Sequence, residues 1–468
     1  MTTGACLNTT NPFTATGPGE RHVVYAALAA GGPVHRITLP TGEPAWLITG
    51  YDEVRHTLRD PRVIKSEAAL ANIGHGLVPP EVFAGMSHHM LNSNPPDHAR
   101  LRRLVTAAFT RRRIEQLAPR IQQITDQLLD AMPDAAQVDL IDSFAYPLPL
   151  TVICELLGVP ANHRAEFRGW SSIVVTGVLA GRDTLVAATT AMVSYLRKLV
   201  NAKRATPTDD MLSALVAVRD GDDCLSDDEL TSMAWLLLVA GHETTVNLIG
   251  NGVLALLTHP EQLALLRAEP DRLPAAIEEL LRFDGALQVA TFRWTAEPVD
   301  IGGIAIPAGE IVLLGLLAAN RDPACTAQPD ALDITRMNNP HLAFGHGIHH
   351  CLGAPLARLE GRIALGSLLA RFPNLRLAVP PEELTWKSGA LMHGLTALPV
   401  VLDRPTGESW AHAEPGLARR LARPADGGSP KSTVRIRSAG VHDRLPAPSS
   451  RTSDSTPSAS TMASPTPP

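Results

Sequence analysis

The chain is poor in the features that mark several large classes of protein. Its five cysteines among 468 residues are odd in number and widely scattered, which argues against a disulfide framework. No run reaches the roughly 18 uninterrupted apolar residues of a transmembrane helix. The first thirty residues lack the basic segment and apolar run of a signal peptide. A formal net charge of -6 gives no reason to expect a nucleic-acid partner. We therefore expect a soluble, cytoplasmic protein.

Composition divides the chain into three parts. Residues 1–20 are polar and rich in Gly, Pro and Thr, which predicts a flexible N-terminal lead. Apolar helical patterns alternate with short loops over residues 21–405, which we predict to be the folded domain. Residues 406–468 are rich in Ser, Thr, Pro, Ala, Gly and Arg and have almost no apolar periodicity. Such a segment cannot bury enough surface to offset its ordering entropy, so we predict a disordered tail.

Two regions of the folded part have the pattern of strands. One is Trp46–Thr49. The other runs from Val299 to Ile306, continues through a Pro/Gly-bearing turn at 307–310, and ends with Ile311–Leu314. This second region predicts a hairpin around the turn. The expected fold class is therefore mainly α with small β-sheets, an α+β architecture.

One cysteine, Cys351, lies in a glycine-punctuated loop just before an apolar helical pattern that begins near Ala354. The glycines allow tight turns and a close approach to a flat ligand. At a helix N-terminus the dipole and free N–H groups favour thiolate over thiol. A thiolate held in this way is a good axial ligand for haem iron.

Two other interpretations of this loop are open on the residues alone. Cys351 could be a structural cysteine in a turn. It could also bind zinc together with His346, His349 and His350. Zinc ligands usually occur as separated pairs, whereas these four residues are crowded into six positions, so the pattern disfavours zinc.

A long helix is predicted upstream of the loop. Ser226 and Glu229 form an S-x-x-E capping box, and the apolar run that follows continues to His259, where Pro260 ends it. At 1.5 Å per residue this helix is roughly 50 Å long. Because it is apolar on most faces, we expect it in the core.

The centre of this helix, Ala240–Thr245, breaks the apolar pattern with Gly241, Glu243 and Thr244. A polar patch on a surface helix would explain these residues, but the apolar stretches on both sides indicate burial. Poor local choices inside a core indicate a functional site. A hydroxyl and a carboxylate one residue apart could anchor a water relay for protons in an otherwise dry pocket.

Together these segments resemble the cytochrome P450 superfamily. The loop matches the family pattern F-x-x-G-x-[H/R]-x-C-x-G at Phe344, Gly347, His349, Cys351 and Gly353. The helix centre is similar to the family's oxygen-binding motif, [A/G]-G-x-[D/E]-T-[T/S]. The resemblance covers about residues 20–403 and is closest to soluble bacterial enzymes that tailor secondary metabolites. It implies the P450 fold, with haem b between the long helix and the Cys loop.

The resemblance also implies roles for single residues. Cys351 would be the proximal ligand of the haem iron, and Gly241 would leave room for O₂. Thr244 would hydrogen-bond the oxygen ligand, and Glu243 would help to deliver protons. The haem propionates would meet four basic residues, which are His98, Arg102, Arg293 and His349.

A helical E-x-x-R pair, Glu279 and Arg282, matches the motif that locks the family's core behind the haem. By itself such a pair is usually a surface ion pair. The family often adds an arginine from a P-[D/E]-R-F element, where this chain has Ala331 and Leu332. Either the triad is incomplete, with lower stability, or another residue such as Arg336 replaces the missing arginine.

The function that the resemblance implies is a haem-thiolate monooxygenase. It would hydroxylate or epoxidise a hydrophobic small molecule of macrolide, polyketide, steroid or terpenoid type, with O₂ and two electrons. The electrons would come from NAD(P)H through a reductase and a ferredoxin. The substrate pocket would include Trp235, Val239, Val289, Ala290 and Met392. We expect a monomer.

The remaining alternatives concern partners and chemistry. The basic residues Arg103 and Arg111–Arg113 could dock an acidic ferredoxin or be a solvated face. A non-catalytic haem-binding protein would not need the Glu243–Thr244 pair. A peroxide-driven peroxygenase tends to lose it, and an isomerase would share the cofactor.

Overall fold

The computed structural model describes residues 11–40, 42–73, 78–133, 137–218 and 223–403. The predicted tail at 406–468 lies outside the described residues. The described part is mainly helical with small sheets, as the sequence predicts.

Sixteen α-helices occur within the described ranges. Their bounds are α1 Glu20–Ala30, α2 Tyr51–Thr57, α3 Glu67–Ile73, α4 Pro80–Ser87, α5 Asp97–Ala108, α6 Arg111–Gln116, α7 Ala118–Asp130, α8 Pro147–Leu156, α9 Arg164–Thr176, α10 Arg182–Ala205, α11 Met211–Ala217, α12 Asp227–Thr258, α13 Pro260–Ala268, α14 Leu273–Phe283, α15 Leu316–Ala319 and α16 Ala354–Arg371.

Ten strands accompany them in the same described ranges. Their bounds are β1 Val34–Thr38, β2 Pro44–Ile48, β3 Val63–Ile64, β4 Gln137–Asp139, β5 Arg293–Thr295, β6 Val299–Ile301, β7 Ile304–Ile306, β8 Ile311–Leu314, β9 Arg376–Leu377 and β10 Pro399–Val401.

Helix α12 is the long central helix that the capping box predicts. Ser226 accepts a hydrogen bond from the Glu229 backbone, and the Glu229 side chain returns one to the Ser226 backbone. The 32-residue helix packs against α4, α8, α10, α14 and α16. Because neighbours contact it on several sides, most of its residues are buried, and it forms the centre of the main apolar core.

The strands form three separate sheets. The largest has the order β1-β2-β8-β5-β3, in which β2 and β8 run parallel and the other neighbours antiparallel. Strands β4, β10 and β9 form a second sheet, and β6 and β7 form a third. Two apolar clusters, separate from the main core, pack against the five-stranded sheet.

The predicted hairpin around residues 307–310 is wrong in its pairing. Val299 pairs with Ile306 across a tight turn at Gly302 and Gly303, both with positive φ. Strand β8 pairs with β2 and β5 instead. The two glycines adopt the left-handed conformation easily, so the chain reverses there and not at Pro307.

The described part of the predicted N-terminal lead is packed on the domain. Phe13 is 1% exposed and lies in the apolar cluster of the five-stranded sheet. Its carbonyl accepts a hydrogen bond from the Gly389 N–H, and the Thr16 carbonyl accepts one from Trp386 N–H. The folded domain therefore includes residues before the predicted boundary at residue 20.

None of the helices in the described ranges combines the length and the hydropathy that a membrane span requires.

Candidate active site

A cavity of about 250 Å³ lies between α12, the Cys loop and the segment before β5. Its walls are mostly aliphatic, and Ile153, Leu236 and Leu248 are among them. Polar side chains line part of the wall and include Cys351 and Thr244. An apolar cavity with a few convergent polar groups is the usual form of a small-molecule site.

The Cys loop is held by backbone hydrogen bonds and one tight contact. The Cys351 N–H donates to the Phe344 carbonyl at 3.0 Å. Gly347 has φ +72°, and a Cβ there would lie 2.9 Å from the Leu58 carbonyl oxygen, so only glycine fits. Arg358 lies 4.5 Å over the Phe344 ring. These contacts place the cysteine immediately before α16.

The pKa of Cys351 differs from the sequence-based expectation that the helix N-terminus favours the thiolate. The N–H groups of Gly353 and Ala354 and the charge of Arg102 do lower the pKa of Cys351. Burial is the larger effect, however, and the net result is a pKa above the ordinary value. A bound metal cation would add a positive charge that favours the thiolate.

Gly241 and Thr244 both reach the cavity from α12. Thr244 Oγ donates to the Ala240 carbonyl at 3.0 Å, one turn back in the helix. A Cβ on Gly241 would lie 3.0 Å from Ile153 Cδ1. The glycine therefore lets α8 approach α12 closely, in addition to placing its backbone on the cavity wall.

Glu243 does not line the cavity. Its carboxylate is 3% exposed and pairs with Lys387, which also donates to Asn247 Oδ1 at 3.1 Å. The Lys387 side chain is 22% exposed, so the pair lies between the interior and solvent. The sequence contains no signal for this contact, because the partners are 144 residues apart in unrelated segments.

The four predicted haem-edge residues all line the cavity. The rings of His98 and His349 are 4.4 Å apart, and Arg293 is buried on β5. Arg102 donates to the His350 carbonyl at 2.7 Å. Burial first and then nearby cations, including Arg293, lower the pKa of His349 to about 2, and burial lowers the pKa of His98. A lowered pKa favours the neutral imidazole, which has one N–H to donate.

This edge fits an anionic ligand. His98 Nε2 and Arg293 Nε are buried without a hydrogen-bond partner among the described residues. In the same part of the chain, no carboxylate pairs with His98, Arg102, Arg293 or His349. Buried cations are costly unless they are paired, so the two carboxylates of haem b suit this edge.

The E-x-x-R pair is buried, not a surface pair. Arg282 is 0% exposed and makes two 2.8 Å hydrogen bonds to the Glu279 carboxylate. Arg336 lies 3.3 Å from the same carboxylate. Ala331 contributes its carbonyl, which accepts from Arg282 at 2.9 Å. Arg336 therefore completes the triad, which answers the alternative that the sequence leaves open.

The predicted substrate-pocket residues are only partly brought together. Ala290 lines the main cavity. Val289 lines a smaller neighbouring cavity of about 140 Å³, which shares Ala290 and Thr291 with it. Trp235, Val239 and Met392 are not among the residues that line either cavity. The helical turn from 235 to 240 presents Leu236, Leu237 and Ala240 instead, because neighbouring positions point to different faces.

A thiol at the N-terminus of one helix and a threonine on another share one apolar cavity with a cationic edge, and this arrangement suits a haem-thiolate oxidoreductase. The family model described as "Cytochrome P450" matches residues 182–397. The chain belongs to the cytochrome P450 family, whose cofactor is haem.

Several characterised proteins are similar over most of their length. Cytochrome P450 107B1 of Saccharopolyspora erythraea is 52% identical, over 81% of this chain and 95% of the relative. Cytochrome P450 monooxygenase PikC of Streptomyces venezuelae is 50% identical, over 81% of this chain and 91% of the relative. The tirandamycin C-bound structure of the P450 monooxygenase TamI has a TM-score of 0.77 and 50% identity, and it covers 82% of this chain and 97% of that one. The chain is thus a P450 monooxygenase of the bacterial type, as its sequence predicts.

Proposed function

We propose that this monooxygenase hydroxylates or epoxidises a hydrophobic small molecule of polyketide or macrolide type. The observation that carries the proposal is the aliphatic cavity onto which Cys351 and Thr244 both open. The relatives' names support the substrate class, since one is a 6-deoxyerythronolide B hydroxylase at 44% identity and TamI is bound to tirandamycin C. Steroid-like substrates are the second candidate, because a vitamin D(3) 25-hydroxylase is 49% identical.

In this proposal each residue has a distinct task. Cys351 holds the iron of haem b, and the haem supplies oxygen activation when it is bound. Arg102 and Arg293 hold its propionates through charge and hydrogen bonds, and His98 and His349 hold them through hydrogen bonds. The aliphatic walls exclude water and orient the substrate. Phe344, Gly347 and Gly353 shape the loop that carries Cys351, on the side of the haem where the cysteine binds.

Proton supply is the task of the acid–alcohol pair. Thr244 Oγ faces the cavity, and because its hydrogen is donated to the Ala240 carbonyl, its lone pairs can accept a hydrogen bond from a water there and hold that water in place. Glu243 is the next residue and is connected toward solvent by Lys387. We propose that protons enter along this route.

Electrons come, in this proposal, from NAD(P)H through a reductase and a ferredoxin. The exposed arginines Arg112 and Arg113 at the start of α6 would steer an acidic ferredoxin. Reversing both charges should slow ferredoxin-supported turnover most at low ionic strength, and unchanged turnover at all salt concentrations would contradict this docking site. Cytoplasmic location and the monomeric state remain predictions.

Three measurements test the function. The reduced carbon monoxide complex of the purified protein should show the red-shifted Soret band of a thiolate-ligated haem, and a Cys351→His variant should lose it. A band at the histidine-haem position in the unsubstituted protein would contradict the Cys351 assignment. Spin-state shifts on titration with macrolides, linear polyketides and steroids then rank the substrate classes. A Thr244→Ala variant should consume NADPH without matching product, whereas a non-catalytic binding protein would show no NADPH-dependent product in either form.

A further inference from the structure

A buried lysine lies beside the cationic edge of the cavity. Lys65 is 4% exposed and directly follows β3. Its ammonium donates to the carbonyls of Thr291 and Phe292, each at 2.9 Å, and to Thr291 Oγ at 2.5 Å. None of these acceptors is a carboxylate. Burial and the charge of Arg293 lower the pKa of Lys65 well below its ordinary value.

Keeping a cation buried beside a second cation is unfavourable for folding. A methionine of similar length would fill the same space without that cost. The position of Lys65 therefore calls for a role that needs its three donors at these atoms. All three donors contact one short segment, residues 291–292, which leads directly into Arg293 on β5.

The backbone of Lys65 is tied to a second element. Asn94 Oδ1 accepts from the Lys65 N–H at 2.8 Å, and Asn94 Nδ2 donates to the Lys65 carbonyl at 2.6 Å. The Asn94 carbonyl in turn accepts from the His98 N–H at 2.8 Å, in the first turn of α5. Lys65 thus joins the start of α5 to the start of β5.

These two elements carry most of the cationic edge. His98 and Arg102 lie one turn apart on α5, and Arg293 begins β5. Arg293 is also held from the β3 side, because its Nη1 donates to the Val63 carbonyl at 3.2 Å. The separation between His98 and Arg102 on α5 and Arg293 on β5 is therefore set by β3 and the residue that follows it.

We propose that Lys65 is a positioning residue for haem binding, which holds α5 and the 291–293 segment at the spacing that two propionate carboxylates require. This inference rests on the proposed haem site. Lys65 lines the smaller neighbouring cavity and not the main one, so it acts through Thr291, Phe292 and Asn94.

The test compares haem retention in variants of the full-length holoprotein. Lys65→Met and Lys65→Gln remove the charge, and Lys65→Gln keeps two donors, so it serves if Lys65→Met does not fold. Lys198→Met, at an exposed position on α10, is the matched control. The rate of haem loss to an excess of apomyoglobin should rise about tenfold in the Lys65 variants. This is the size of effect seen when a residue that hydrogen-bonds a cofactor's binding residues is replaced. The control should match the unsubstituted protein.

A second arm separates positioning of the propionate edge from general packing. The apoproteins are reconstituted with haem dimethyl ester, which lacks the two negative charges. The difference between the Lys65 variants and the unsubstituted protein should then shrink toward none. Equal haem loss from Lys65→Gln and Lys198→Met would overturn the inference, and so would a difference that persists with the ester. Failure of the unsubstituted protein to bind haem would instead refute the proposed function.

Discussion

Replacing Arg282 with methionine should destabilise the domain more than any comparable change on its surface. The guanidinium is fully buried and forms a two-pronged pair with Glu279, which is itself 1% exposed. It also donates to three backbone carbonyls, which belong to Asn320, Pro329 and Ala331. Arg282→Met leaves the Glu279 carboxylate with Arg336 and one backbone N–H, and leaves the three carbonyls without this donor.

Breaking a buried ion pair by removing one partner costs about 3–5 kcal/mol. Arg336 remains 3.3 Å from Glu279 and still neutralises part of its buried charge, which reduces the loss of stability. The three lost hydrogen bonds to backbone carbonyls increase that loss. We therefore expect a loss of about 4 kcal/mol in the free energy of unfolding. Because a domain is stabilised by only about 5–15 kcal/mol, such a variant should still fold at low temperature.

The chain contains a matched control. Glu269 and Arg272 have the same order and the same i,i+3 spacing, but their side chains are 49% and 39% exposed. Arg272→Met should cost at most about 1 kcal/mol, because solvent screens the exposed pair. Urea unfolding, monitored by circular dichroism, gives the free energy of unfolding of both variants. An unchanged dependence of this free energy on urea concentration would show that the substitutions alter stability and not the surface exposed on unfolding. Arg282→Lys, which keeps the charge without the planar fork, should fall between them. If Arg282→Met lost no more stability than Arg272→Met, the structural role of the buried triad would be refuted.

Two further substitutions test other buried features. Burial raises the pKa of Glu360 to about 8. The folded state therefore holds one more proton than the unfolded state between about pH 4.5 and 8, and the free energy of unfolding falls as the pH rises through this window. Glu360→Gln should therefore gain stability relative to the unsubstituted protein as the pH rises from 5 to 8, whereas the exposed Glu382→Gln should show no such trend in pH-dependent urea unfolding. Gly345 and Gly347 both have positive φ, but only a Cβ at Gly347 meets the Leu58 carbonyl, at 2.9 Å. Gly347→Ala should lower the haem content of the purified protein far more than Gly345→Ala, and equal losses would show that φ strain alone decides.

Local signals in the sequence predict the elements well but not their partners. The capping box and the stop at Pro260 place α12 within a residue of its observed ends, because both signals act within one turn of the helix. The hairpin error has the opposite origin. Strand β8 has the expected apolar pattern, but pairing with β2, more than 260 residues earlier, depends on the packing of the whole domain.

The site divides in the same way. Cys351, Gly241 and Thr244 lie in continuous motifs and reach the cavity as predicted. Lys65 and Lys387 act through contacts 226 and 144 residues apart, and each looks like an ordinary surface lysine in the sequence. The predicted pocket residues Trp235 and Val239 miss the cavity because one position along α12 turns a side chain by about 100°.

The length of α12 has a consequence for how this enzyme responds to substitution. From its cap at Ser226 to Thr244 the helix runs about 27 Å as one hydrogen-bonded rod. Helices α4, α8 and α10 lie against it. A change that tilts the rod by about 2° around its Ser226 end would displace the threonine by about 1 Å. Selection for a new product profile can therefore act on residues that no substrate ever touches.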